Sequence, residues 1–300
     1  MLKSTASNYD GNESNSWRDD MNITSASIKG VGTWNEDAII LNDALQLYGV
    51  IDGATSLVPY SGPSGESGGY LAAQLVASTC NEAASADSLM DLLVSANDSL
   101  RAAMVQAGIS PQRKEELWTA CVALVRVSPK WIEFAQAGDC MLAVYYADRS
   151  IRIVTNDQLA HVDDRTKAVW AEGIAAGLTS RAELFEYSMP TIRKGRQLAN
   201  TDDGYGVING DPAFPDHAEF GRISRTNVKA LLLFTDGLYM PKLPGEPDKD
   251  SAGEIAGLVR EKGLPRYIEW LTELEESDPD CTRYPRVKKS DDKTALWIEL

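Results

Sequence analysis

Leu231-Leu232-Leu233-Phe234-Thr235 running into Asp236-Gly237 sets the pattern of this chain: an apolar run delivers an acidic residue beside a glycine. Leu47-Tyr48-Gly49-Val50-Ile51 runs the same way into Asp52-Gly53, and Ile132 to Ala137 into Gly138-Asp139. Near the C-terminus Ser290-Asp291-Asp292 leads into Thr294 to Ile298, with the acids first. Runs of this length, rich in Leu, Val, Ile, Tyr and Phe and stopped by Gly, are strand signals. One Asp-Gly alone is an ordinary turn dipeptide. Four acid-bearing strand ends in one chain predict a shared place. In an antiparallel sheet the start of one strand lies beside the end of its neighbour, so the reversed order at Asp291 is what convergence on one sheet edge requires. Carboxylates gathered there repel unless something positive holds them, which points to a divalent cation.

Outward from these runs the chain reads as strands wrapped in helices. Ile23 to Gly30 alternates weakly, and Ala38 to Leu41 and Leu45 to Ile51 flank Asn42-Asp43-Ala44 as a hairpin. Tyr70 to Glu82 and Ser88 to Ala107 carry apolar residues at helical spacing. Leu117 to Val127, Trp131 to Ala137, Met141 to Tyr146 and Ile151 to Val154 read as a meander at the centre of one sheet. Asp157 to Asn200 breaks the strand pattern and reads as helices, clearest at Thr166 to Glu172 and Ser180 to Phe185. Ala252 to Arg260 and Pro265 to Glu276 read as outer helices, the second with Pro in its first turn.

Composition bounds the function. The 300 residues carry 44 acidic against 29 basic side chains, a formal charge of −15, which argues against a nucleic-acid partner or an anionic membrane. The 43% apolar content suffices for one large core. Because the converging acids are spread from Glu36 to Asp291, the chain cannot be cut without dividing their site. Residues 1–22, rich in Ser, Asn and Asp, are expected to form a flexible polar tail, with a single domain over 23–300. The four cysteines lie far apart, without a C-x-x-C pair or a His cluster, so neither a zinc site nor a disulfide framework is indicated. No stretch approaches the length of a membrane span and no signal-peptide h-region is evident. A soluble, cytoplasmic monomer is the expectation.

Taken in order, Asn35-Glu36-Asp37-Ala38, Val50-Ile51-Asp52-Gly53, Thr119-Ala120, Gly138-Asp139, Phe234-Thr235-Asp236-Gly237-Leu238 and Asp291-Asp292-Lys293-Thr294 resemble the motifs of the type 2C metal-dependent protein phosphatases. The resemblance runs from about Ile23 to Leu300. It implies an α+β fold, a four-layer α/β/β/α sandwich of two antiparallel sheets flanked by helices, with a flap subdomain at about 157–215. It also implies two Mg²⁺ or Mn²⁺ ions: Asp52 bridging, Asp236 and Asp291 completing the first, Glu36 and the Gly53 carbonyl serving the second. Asp139 with Asp236 would hold a weaker third ion. Asp52, Asp236 and Asp291 would thereby carry catalysis, a water shared between the ions attacking phosphorus in line.

Two departures stand out. The phosphate-binding arginine of the family, four residues before Glu36, is Gly32 here, with Lys29 and the Arg193-Lys194-Gly195-Arg196 stretch as the nearby cations. A histidine that follows Asp-Gly in many relatives is Ala54. The expected activity is hydrolysis of phosphoserine or phosphothreonine in proteins. The alternatives are a phosphatase of small phosphorylated metabolites and a catalytically weak phosphoprotein-binding regulator.

Overall fold

The computed structural model describes residues 21–85, 88–243 and 250–300. Of the expected tail, residues 1–20 lie outside the described residues, and Asn22 already opens the first strand. Among the described residues ten strands form two five-stranded antiparallel sheets. One runs β1 (Asn22–Ile28), β10 (Lys293–Glu299), β9 (Val228–Phe234), β6 (Met141–Tyr146), β7 (Ile151–Ile153). The other runs β2 (Asp37–Asn42), β3 (Leu47–Ala54), β4 (Thr119–Val127), β5 (Trp131–Ala137), β8 (Glu219–Ser224).

The apolar runs are continuous because both faces of each central strand are covered. Along β9, Leu231 and Leu233 point between the sheets with Val50, Val125, Leu142 and Leu296, while Leu232 and Phe234 point outward. That period of two feeds two different cores from one strand. On the outer side of the β9 sheet pack α6 (Ser251–Lys262) and α7 (Leu264–Glu276), through Ile255, Tyr267 and Leu271. On the outer side of the β3 sheet pack α1 (Gly68–Asn81) and α2 (Leu89–Gln106), through Val76, Leu93 and Leu100. Three apolar layers between four layers of backbone make the expected sandwich.

The meander is not the centre of one sheet. β4 and β5 belong to one sheet and β6 and β7 to the other, and the chain changes sheet at Gly138-Asp139. The corner needs glycine twice over: Gly138 has φ +85°, and a Cβ there would stand 2.3 Å from the Cys121 sulfur. β8 has no counterpart in the sequence pattern, since only Ile223 of its six residues is buried and an exposed edge strand shows no alternation. The segment expected as a flap forms a helical hairpin, α3 (Ala160–Ala175) and α4 (Arg181–Gln197), the second opened by a Ser180/Glu183 capping box. A further short helix, α5 (Phe214–His217), precedes β8.

The hairpin does not hang free. Trp170, Leu184 and Cys281 form a fourth apolar cluster, and the Trp170 indole donates to the Cys281 carbonyl at 3.0 Å. The hairpin is thereby docked on the irregular loop 277–292, which leads to β10. That loop is organised from within by Arg286, which donates to the Asp278 carboxylate at 2.8 Å and to the carbonyls of Glu275, Tyr284 and Lys289. Asp278 in turn accepts from the backbone N–H groups of Thr282, Arg283 and Tyr284.

Candidate metal centre

The acids converge, from both sheets rather than along one sheet edge. Asp52 lies inside β3, not past its end, and sits in register with Asp37 of β2 and Cys121 of β4. Asp139 occupies the corner between β5 and β6, Asp236 begins a 3₁₀ turn after β9, and Asp291 lies two residues before β10. The site therefore spans the seam between the two sheets at one end. Sequence periodicity places acids near strand ends, but it cannot say which sheet each strand will join.

Asp37 ties the seam. Its carboxylate accepts from the Thr235 hydroxyl at 2.9 Å, and Thr235 Oγ1 accepts from the Thr294 N–H at 3.1 Å, so one acid of the β3 sheet is bound to two strands of the other. Asp292 does the same from the opposite direction, accepting from the N–H groups of Gly30 and Glu36, each at 2.7 Å. The glycine of Asp236-Gly237 is required by close approach: a Cβ on Gly237 would lie 1.8 Å from the Asp292 carbonyl oxygen.

The electrostatics are those of a site built for positive charge. Burial, then the Asp236, Asp37 and Asp139 carboxylates, push Asp52 far above the usual carboxylate range. Asp236 is raised as well, by burial first and by the Asp291 carboxylate next. Asp37 and Asp139 are raised in the same way, by burial first and neighbouring acids second. One oxygen each of Asp139 and Asp236 is buried without a hydrogen-bond partner. Two more acids join them from the start of the hairpin segment, and the sequence reading missed both. Burial lifts Asp157 to about 6 and Asp163 to about 7, with Asp236 adding to each. Spacing gave no signal for them, because an acid in or just before an ordinary polar helix is most simply a solvated charge.

Glu36 occupies different surroundings. Its carboxylate accepts from the Thr55 and Ser67 hydroxyls, both at 2.5 Å. Its Oε1 and the Gly53 carbonyl oxygen each lie 2.8 Å from where a Cβ on Gly69 would be. Only glycine at position 69 leaves that cradle open between a carboxylate and a carbonyl.

A cleft of about 510 Å³ opens against Asp139, Asp236 and Asp291, walled by Asp163 and Lys167 of α3 and by Lys288 of loop 277–292. Lys288 donates to Asp291 at 2.6 Å. Although burial opposes its charge, Asp291, Asp52 and Asp236 together push the ammonium well above the ordinary lysine range. Lys29 turns instead onto its own loop, 3.4 Å from the Thr33 carbonyl. In α4, Arg193 pairs with Glu115 at 3.9 Å and Arg196 donates to the Thr55 carbonyl at 3.1 Å.

Among the described residues no three His, Cys, Asp or Glu side chains form a ready-made cage for a metal ion. The donor set nevertheless suits hard cations of the Mg²⁺ or Mn²⁺ type, which take carboxylate and carbonyl oxygen and retain several waters. The unpartnered oxygens of Asp139 and Asp236 and the cradle at Gly69 are the features such ions would satisfy.

A protein phosphatase 2C family model matches residues 26–277. No curated protein sequence matches the chain. Among solved structures, the chain is similar to the serine/threonine phosphatase Stp1 from Staphylococcus aureus, at 17% identity and TM-score 0.56, over 93% of this chain and 95% of that one. It is similar to PppA, a key regulatory component of T6SS in Pseudomonas aeruginosa, at 17% identity and TM-score 0.52, over 93% and 97%. The Mycobacterium tuberculosis serine/threonine phosphatase PstP/Ppp follows at 15% identity and TM-score 0.50, over 93% and 98%. At such identities these structures speak for the fold.

Proposed function

The chain belongs to the protein phosphatase 2C family, and from that premise we propose that it is a metal-dependent phosphomonoester hydrolase acting on phosphoserine or phosphothreonine in proteins. The observation that carries this reading is the seam of buried carboxylates from both sheets, with oxygens of Asp139 and Asp236 left unpartnered. Asp52, Asp236 and Asp291 would hold one ion and Glu36, Asp52 and the Gly53 carbonyl a second, with Asp139 and Asp236 at a weaker third. When bound, such ions supply a nucleophile at neutral pH and neutralise charge on the phosphoryl oxygens.

The chain's own residues do the rest. Asp52 is fixed by pairing on both sides of β3, so it cannot relax away from Asp236 when the two repel. Asp37, through Thr235, holds the two sheets at the separation the site needs. Thr55 and Ser67 orient Glu36 before any ligand arrives, which is preorganisation of the kind catalysis rewards.

Gly32, where the family carries its phosphate-binding arginine, favours a second reading, hydrolysis of small phosphorylated metabolites. One experiment decides both. Hydrolysis of p-nitrophenyl phosphate with and without Mn²⁺ tests the enzyme, and a panel of phosphopeptides against phosphorylated metabolites tests the substrate. Absence of Mn²⁺-dependent turnover on every ester would leave the regulatory reading of the fold in its place.

A further inference from the structure

We propose that Lys288 grips the phosphoryl oxygens of the substrate, taking up from loop 277–292 the role that Gly32 leaves vacant. This rests on the phosphatase reading above. Of the cations around the site, Lys29 is exposed and engaged with its own loop, and Arg196 donates to Thr55 outside the cleft lining. Lys288 lines the cleft itself, beside Asp139, Asp236 and Asp291.

Its presentation is fixed. The Lys288 side chain is 31% exposed, and its backbone belongs to the loop that Arg286 and Asp278 organise. The neighbouring Val287 carbonyl accepts from Arg181 of α4 at 3.0 Å, so the helical hairpin also steadies this stretch. Lys293, a buried lysine nearby, is consumed by Glu275 at 2.7 Å, Ser290 and the Asp291 carbonyl. Lys288 makes one hydrogen bond among the described residues, to Asp291. An ammonium has three N–H donors, so two remain for oxygens in the cleft.

The chemistry selects a tetrahedral oxyanion. A phosphate monoester approaching Asp139, Asp236 and Asp291 meets like charge, and a lysine rooted on Asp291 is placed to offset it where ester oxygens would enter. Lysine is a compact point charge without the planar fork of arginine, so it attracts the phosphate while orienting it less strictly.

The test uses the full chain and measures inorganic phosphate binding by calorimetry with Mn²⁺ present, KM and kcat for p-nitrophenyl phosphate, and Mn²⁺ affinity without phosphate. In Lys288→Gln, phosphate affinity should fall and KM rise by about tenfold or more, the loss of one charge-assisted hydrogen bond, while kcat changes far less. Lys288→Arg should recover most of the loss, and Lys29→Ala should change neither quantity. Mn²⁺ affinity in Lys288→Gln should be equal to or tighter than that of the parent, because a competing cation has left Asp291. Lys288→Met, which keeps the apolar stem, gives the same comparison should the amide disturb folding. Unchanged phosphate affinity would overturn the proposal, and so would a parallel loss of Mn²⁺ binding, which would make Lys288 a support of Asp291 alone. If the parent hydrolyses no ester yet binds phosphate through Lys288, the hydrolase reading falls and only the phosphate-binding role of Lys288 survives. If the parent binds no phosphate with Mn²⁺ present, this inference falls by itself.

Discussion

The two flanks of the acidic seam are built on different principles. On one side Glu36 is already satisfied: two hydroxyls donate to its carboxylate, Asp292 accepts from its N–H, and an open cradle at Gly69 faces it. On the other side the buried Asp139 and the half-buried Asp236, Asp157 and Asp163 face one another, with Lys167 and Lys288 at the rim. The first flank is preorganised by neutral donors. The second is held in tension by like charges, and only added positive charge relieves it. The contrast teaches that one flank is settled before any ligand arrives, while the other gives up ligand-free stability for the positive charge it can later hold.

The largest effect that could break this comparison is at Asp236. Asp236→Asn should lower Mn²⁺-dependent turnover by more than about a hundredfold, the upper range for groups that tune a metal site, while raising the melting temperature of the metal-free protein. Full activity in this variant would end the two-flank picture. Asp139→Ala should reduce turnover less and leave a tight divalent site measurable by calorimetry.

The tense flank also predicts a pH dependence of stability. Asp163 titrates at about 7 when folded, against about 3.9 for an unperturbed Asp, so the folded state binds the proton more tightly. Its contribution is fully present below about pH 4 and is lost as pH rises through about 7. Asp157, at about 6, acts in the same direction over a narrower window. Metal-free protein should therefore melt several degrees lower at pH 8 than at pH 5.5. Asp163→Asn and saturating Mn²⁺ should each flatten that slope; a slope of opposite sign would refute the assignment.

On the satisfied flank the effects are smaller. Thr55→Val removes one donor from a buried carboxylate and should cost about 2 kcal/mol, as hydrogen bonds to charged groups do, measured by denaturant unfolding. Smallest of all, Trp170→Phe keeps the apolar packing of the helical hairpin but deletes the bond to Cys281, at about 1 kcal/mol.

The same contrast explains what could be read in the sequence. Asp52, Asp139, Asp236 and Asp291 announce themselves because each interrupts an apolar run, and the continuous apolar strands follow from cover on both faces. Asp37 was in plain view beside Glu36, yet its link to Thr235 depends on which strands face each other across the sandwich. Asp157, Asp163 and Lys288 come from a polar helical segment and a charged loop, where single residues carry no periodic signal. β8 and the change of sheet at Gly138 were hidden for a related reason: exposed edges and corners are fixed by tertiary pairing, not by local pattern.

The internal bracing of loop 277–292 has one further consequence. Fixing an irregular backbone costs about 1–2 kcal/mol per residue in conformational entropy. Because Arg286 and Asp278 order this loop when the chain folds, a ligand arriving at Asp291 does not have to order it again. The thermodynamic signature follows: phosphate binding should carry a small entropic penalty for its charge. Unbracing the loop with Arg286→Met should weaken binding through entropy, with the contacts at the cleft left chemically unchanged.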